Sequence, residues 1–264
     1  MLELYHNAAS TCSQKVRLVL AEKSIDFASR DIDLLSGGQH NEDYVKLNPN
    51  HVVPTIVHDG TVVIESTLIN EYLEDAFPEK AMRPADAAGR YAMRAAVHQI
   101  DLTHPATGIL TYAIGPGPLV AAQGQEAIDA HVSAIPDPAR AKTRRSVIEK
   151  GVKAPEFANA MRDFIRLLDR AEASLAAHRW LAGDAYTLAD AATVPYILRL
   201  DHLAMMPLID ARPRLSDWYA RARTRPSFEV AIGAHLPQGV IDLFRTNGEK
   251  VWSDVQATLD ALSS

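Results

Sequence analysis

The sequence predicts a two-part fold, a small α/β domain over residues 1–80 followed by an all-α domain over residues 87–264. Three observations lead there. Strand signals are confined to the amino-terminal stretch, around Leu2, Phe27, Ile56 and Val62, the last two in β-branched runs. Beyond Pro84, apolar residues recur at helical spacing and strand signals vanish. Between the two regimes, Pro78 and the run Met82-Arg83-Pro84-Ala85-Asp86 cannot continue a helix and read as a linker.

In chain order, the first domain opens with a strand at Leu2 to Tyr5, a helix from about Thr11 to Lys23 and a second strand near Phe27 to Ile32. An Asn48-Pro49 turn leads to Val52-Val53-Pro54-Thr55-Ile56. Pro54 has no N–H for a sheet ladder, so it belongs at a strand start or in a tight cis turn, leaving the Val53 backbone free to bond a ligand. His58-Asp59-Gly60-Thr61 is a hairpin turn between β-branched runs. Glu65-Ser66 then stands where the strand gives way to an amphipathic helix, Leu68 to Phe77, and a serine at a helix N-terminus suits a carboxylate.

The second domain carries helical patterns at Arg90 to Leu102, Ala160 to Ala177, Leu188 to Leu203 and Leu215 to Arg223. An insertion at about 113–150 is broken by Gly115-Pro116-Gly117-Pro118 and Pro136-Asp137-Pro138. Thr187-Leu188-Ala189-Asp190 is a capping-box variant that fixes a buried helix, a structural rather than a chemical feature. The carboxy-terminal tail from Ala234 either folds back through Phe244, Val251 and Trp252 or packs elsewhere as a helix.

Composition excludes several classes. A net charge of −6 argues against nucleic acid, and no run of eighteen apolar residues predicts a membrane span. One cysteine excludes an intramolecular disulfide framework and fits a reducing cytoplasm; the ten histidines lack metal-ligand spacing, so no metal site is expected.

The chemistry legible in the first domain is thiol ionisation. A thiol with a pKa of about 8.5 needs a donor hydroxyl or a helix dipole to ionise near neutrality. Ser10-Thr11-Cys12-Ser13 lies where both are available: Thr11 with Gln14 forms a capping box, Cys12 and Ser13 fall in the first turn, and Ser10 faces the ligand from the loop. Lys15 and Arg17 either add positive potential or belong to a solvated helix face.

Taken in order and spacing, the Val53-Pro54 and Glu65-Ser66 motifs resemble the glutathione-binding half of the soluble glutathione transferases, with a thioredoxin-like first domain. The resemblance implies that the Val53 backbone pairs with the cysteinyl unit of glutathione, that Glu65 and Ser66 hold its γ-glutamyl end, and that His51 serves the glycyl carboxylate. In zeta-like transferases the first serine of a Ser-Ser-Cys-Ser run acts, here Ser10; in the bacterial beta-like class the shared cysteine aligns with Cys12. Both remain open, with Ser13 a further catalytic candidate. Glu65 to Pro78 and Arg83 to Asp86 look like the bacterial glutathione-dependent β-etherases, which cleave β-aryl ether bonds of lignin-derived ketones. A hydrophobic aromatic substrate and a homodimer follow from that resemblance, with His104, Ile109, Tyr112 and the Gly115-to-Pro118 loop on the acceptor side. Glutathione-dependent isomerisation or dehalogenation, and a non-catalytic binding module, are the competing expectations.

Overall fold

The computed structural model describes residues 1–263. Four strands, β1 (Leu2–His6), β2 (Ala28–Asp31), β3 (Thr55–His58) and β4 (Thr61–Ile64), form one sheet in the order β2-β1-β3-β4. β1 runs parallel to β2, with Leu4 opposite Ser29. It runs antiparallel to β3, with Leu4 opposite Ile56. The parallel pair needs a crossover, and α1 (Thr11–Lys23) supplies it. β3 and β4 close through Asp59 and Gly60, both at positive φ (48° and 84°), the pairing that a twisted two-residue hairpin requires.

Helices follow as α2 (Glu42–Leu47), α3 (Ser66–Ala76), α4 (Ala87–Ile114), α5 (Pro116–Ala122), α6 (Gln125–Ser133), α7 (Pro138–Lys150), α8 (Pro155–Ser174), α9 (Leu188–His202), α10 (Met206–Asp210), α11 (Pro213–Arg223), the single-turn α12 (Pro226–Phe228) and α13 (Gln238–Ser263). A π-helical turn spans Glu229–Gly233.

The chain packs as two compact units that do not follow chain order. The first comprises Met1–His98, Ser174–Tyr196 and Ser216–Pro237; the second comprises Gln99–Ala173, Ile197–Leu215 and Gln238–Ser264. This differs from the linear division expected at 1–80 and 87–264. The reason is visible at the linker, which is not a solvated connector. Met82 is buried, its N–H donates to both oxygens of Glu74 (3.0 and 3.1 Å), and its carbonyl accepts from Leu188 N–H at 2.9 Å. Glu74 is itself paired with Lys23 at 2.7 Å, both side chains 1% exposed.

In the first unit the Thr187–Asp190 cap forms as expected. Thr187 Oγ1 accepts from Ala189 N–H (3.2 Å), and Asp190 Oδ2 accepts from Thr187 N–H (2.9 Å). Asp190 Oδ1 further accepts from Leu181 N–H (3.0 Å) and Trp218 Nε1 (2.8 Å), so one carboxylate ties three segments together.

In the second unit the insertion is helical throughout α5, α6 and α7. The chain breaks at both expected places, between α4 and α5 and between α6 and α7, and the prolines there also start the next element: Pro116 and Pro138 lie in first turns, where a missing N–H costs nothing, and Asp137 caps α7 by accepting from Arg140 N–H. The tail is α13. Gly248 passes the Leu203 carbonyl where a Cβ would lie 2.1 Å away, Phe244 packs under the Arg199 guanidinium at 5.1 Å, and Asn247 donates to the Ile114 carbonyl at 3.1 Å.

Candidate active site

The site residues lie in the first unit, on three chain entries. The first is the start of α1. Ser10 takes an extended backbone (φ −71°, ψ 121°) and its Oγ accepts the Ser13 N–H at 3.2 Å, making Ser10 the N-cap. The expected Thr11 and Gln14 box is therefore displaced by one residue, because the helix already includes Thr11. Gln14 instead donates from Nε2 to the Ala8 carbonyl at 3.2 Å, leaving its Oε1 buried and without a hydrogen-bond partner. Ser10 and Cys12 are half-buried, whereas Ser13 is fully buried and its Oγ accepts from Asn7 N–H at 3.2 Å. Ser13 thus braces the loop that presents Ser10, a placement unlike the catalytic role expected of it.

That loop is braced from below by Arg17, which is 1% exposed rather than solvated. Its guanidinium donates to the carbonyls of Asn7 (3.1 Å), Ala8 (3.0 Å) and Ala231 (2.6 Å), and to His6 Nδ1 (2.9 Å). An arginine can only donate, so His6 Nδ1 accepts and its Nε2 carries the proton toward Ser29 Oγ at 2.7 Å. Burial first, then the Arg17 charge, lowers the His6 pKa to about 4, keeping the ring neutral; burial also lowers Arg17 to about 10. Lys15, likewise expected on a solvated face, is fully buried and donates to Thr67 Oγ1 at 2.9 Å, linking α1 to the first turn of α3.

The second entry is the segment before β3. The Val53–Pro54 peptide is cis. Tyr44 Oη and Asn48 Nδ2 both donate to the Val52 carbonyl (2.5 and 2.9 Å) and both reach Thr55 Oγ1 at 3.0 Å, fixing the turn. Val53 is only 7% exposed, yet neither its N–H nor its C=O bonds another described residue. Buried main-chain groups are nearly always paired, so this pair is suited to an extended peptide ligand. His51, at φ 54°, holds its Nδ1 3.0 Å from His40 Nδ1.

The third entry is the start of α3. Ser66 is its buried first residue, and no side chain caps the first-turn amides. Glu65 adopts φ 68° and ψ 110°, a conformation that costs a non-glycine residue about 1–3 kcal/mol and persists only where the surroundings impose it. Here Asn50 Nδ2 donates to Glu65 Oε1 at 3.0 Å, tying the Pro54 turn to the α3 entrance. Asn50 and the Gln14 amide escaped the sequence reading as site groups; Asn50 is the one with a local signal, since it closes the Asn48-Pro49 turn.

An open main-chain pair at Val53, bare amides at Ser66 and a capped hydroxyl at Ser10 fit an anionic peptide carrying a thiol. Among the described residues no cluster of three His, Cys, Asp or Glu side chains is placed to hold a metal ion, and no helix is long and apolar enough to cross a membrane. The expected acceptor-side residues belong to the second unit. His104, Ile109 and Tyr112 lie on α4, Gly115 joins it to α5, and Pro116 to Pro118 form the start of α5.

Comparison with known proteins places these features in a family. The crystal structure of the β-etherase LigF from Sphingobium sp. strain SYK-6 superposes with a TM-score of 0.78 at 27% identity, covering 88% of this chain and 99% of that one. Glutathione S-transferase TCHQD of Arabidopsis thaliana is 28% identical over 89% of this chain and 91% of its own length. A tetrachloro-p-hydroquinone reductive dehalogenase of Sphingobium chlorophenolicum is 29% identical over 87% of this chain and 95% of its own. The family models for the glutathione S-transferase N-terminal and C-terminal domains match residues 9–76 and 125–226, together more than half of the chain. The chain therefore belongs to the glutathione S-transferase family.

Proposed function

We propose that this protein binds glutathione along Val53, Ser66 and Glu65, with Ser10 at the sulfur, and uses it to cleave β-aryl ether bonds of lignin-derived aromatic ketones. The observation that carries the etherase reading is the likeness to LigF, which extends over nearly the whole of both chains. Glutathione supplies the nucleophile: its thiolate displaces an aryloxide from the carbon next to a ketone, giving a phenol and a glutathione thioether.

The protein's own part is positioning and ionisation. Ser10, held by the Ser13 N–H on its oxygen, keeps its hydroxyl proton for a sulfur anion, and the amides that begin α1 add positive potential. The Val53 N–H and C=O fix the peptide backbone in an extended pose, while the Ser66 hydroxyl and the uncapped α3 amides receive a carboxylate. Glu65, turned outward at positive φ, offers a carboxylate to an ammonium group, and His51 offers a ring nitrogen beyond it. A homodimer in the cytoplasm completes the reading.

A second reading follows from the dehalogenase likeness and from Cys12, half-buried at the second position of α1. There the Cys12 thiolate attacks the sulfur of a glutathione–aryl thioether: the sulfur–carbon bond breaks, the aromatic carbon leaves with the electron pair and takes a proton, and Cys12 is left in a mixed disulfide with glutathione. Product analysis by mass spectrometry on a model β-aryl ether ketone with glutathione separates the two. An etherase releases phenol and thioether in equal amounts. The Cys12 reading instead leaves glutathione disulfide-bonded to the protein and yields no stable thioether, and no product with any aryl ether would sink the etherase reading.

A further inference from the structure

Away from the three chain entries, the first unit holds a cavity that the thiol chemistry does not use. Its volume is about 580 Å³, and it opens between the linker with the first turns of α4 on one side and the 174–187 turn on the other. Every residue that lines it belongs to the first unit. A hollow of this size, with apolar walls and few polar groups, is the common form of a small-molecule site. Met82, Leu181 and Ala182 line it and are buried (4%, 7% and 8% exposed), joined by Pro84 and by Ala88 and Ala92 of α4. A wall that includes methionine suits an aromatic ring.

The charged groups at the rim are already engaged. Arg83 pairs with Asp75 at 2.6 Å, Asp86 caps α4 by accepting from Gly89 N–H at 2.8 Å, and Asp184 accepts from Arg179 N–H at 3.4 Å. Thr187 uses its hydroxyl in the α9 cap, and Ser174 and His178 stand exposed at the mouth. Tyr186 is different. Its ring is fixed, with the Arg225 guanidinium 4.2 Å from its centre and the Trp180 ring meeting it edge-on at 5.0 Å. Yet its hydroxyl bonds no described residue and is not sealed within protein. Burial first, then the Asp190 and Glu22 carboxylates, raises its pKa well above the ordinary 10, so the group keeps its proton. The same carboxylates disfavour an anion there. An uncharged oxygen that only accepts, a carbonyl, is the partner that fits.

We propose that this cavity binds a small uncharged aromatic ketone, its carbonyl oxygen accepting from the Tyr186 hydroxyl and its ring lying against the wall that holds Met82. The site shares no residue with the glutathione site proposed above and stands on the first unit alone.

Benzophenone tests this directly, because illumination makes its ketone carbon attach to neighbouring C–H bonds. The full-length protein is irradiated with a concentration series of benzophenone, without glutathione, and the labelled peptides are mapped by mass spectrometry. Label should saturate within the lining segments 81–92 and 181–187. Tyr186→Phe, which removes only the hydroxyl, should raise the half-saturating concentration about fivefold, the scale of one hydrogen bond. Ala92→Leu, at an exposed helical position, fills the cavity and should abolish labelling there. 4-Benzoylbenzoate, the same probe with a negative charge, should need a several-fold higher concentration. No saturable label in these segments, a half-saturating concentration unchanged in folded Tyr186→Phe, or label that persists in folded Ala92→Leu overturns the proposal. So does 4-benzoylbenzoate labelling as readily as benzophenone, which would assign the cavity to an acid. If Tyr186→Phe does not fold, Ala92→Leu and the charged probe decide. Label confined to the second unit would leave the ketone on the acceptor side and equally overturn the cavity site.

Discussion

Ser10 carries two duties that substitution can separate. As N-cap it satisfies the Ser13 amide, a contact whose loss costs about 1 kcal/mol of stability. As a hydroxyl it donates to the sulfur in the proposed reaction. Ser10→Ala should lower turnover at least tenfold, the scale of about 1.4 kcal/mol of transition-state stabilisation. Ser10→Asn keeps a capping oxygen but no hydroxyl, so it should recover the thermal midpoint and not the rate. Normal turnover in Ser10→Ala, with loss in Cys12→Ala, would move the chemistry to Cys12.

His6 adds a pH dependence. Its pKa is about 4 in the fold against an ordinary 6.5, with Arg17 and His235 opposing its protonation and Asp31 favouring it. Between those values the unfolded chain takes up the proton and the folded chain does not. Stability therefore falls as pH drops from about 6.5 toward 4. Urea midpoints at pH 7 and pH 5 should fall further for the unaltered protein than for His6→Gln. Identical shifts would remove His6 from the account. Arg17 and Lys15 were the residues least legible in the sequence, for a plain reason. Their spacing on α1 suits a solvated face, and the groups that bury them, Ala231 and Thr67, lie 214 and 52 positions away.

Individual elements were read more faithfully wherever the signal was local. The bounds of α1, the Asp59-Gly60 hairpin and the Thr187–Asp190 cap are set by neighbours within four residues, and each formed where expected. The breaks in the insertion were legible at Gly115-Pro116 and Pro136-Asp137-Pro138, but not that Pro116 and Pro138 begin the next helix, because proline carries the same letter whether it ends a helix or starts one. The cap allows a graded test. Thr187→Ala should cost about 1 kcal/mol. Asp190→Ala should cost about 3 kcal/mol, because it strands the buried donors of Leu181, Thr187 and Trp218 together. Chemical denaturation of both variants measures the difference, and equal losses would mean that the carboxylate's contacts to Leu181 and Trp218 contribute nothing.

Across the whole molecule, strand and helix patterns report local class, not which segments share a core, so the return of residues 174–196 and 216–237 to the first unit was not legible in the sequence. The surface offers a further prediction. Arg94 of α4 grips Glu71 of α3 through two 3.0 Å bonds, and one turn before each of these lies an exposed apolar residue, Tyr91 (76% exposed) and Leu68 (60%). If the protein is the homodimer proposed, this face is the part of the first unit best suited to bury, and Leu68→Glu combined with Tyr91→Ala should yield monomers in sedimentation velocity. Dimers that persist in the double variant would locate the contact elsewhere.

The interleaving of the first unit bears on how such proteins can be recombined. Glu22 of α1 is gripped by Arg225 at 2.6 and 2.7 Å and by Ser227 at 2.5 Å, and Arg17 reaches the Ala231 carbonyl, so α1 has three of its polar partners more than two hundred positions downstream. A chimaera that borrows only the amino-terminal segment of a relative would arrive with charges matched to someone else's carboxy-terminal turn. Exchanging residues 1–98, 174–196 and 216–237 as a set should give soluble hybrids where the single splice gives aggregates.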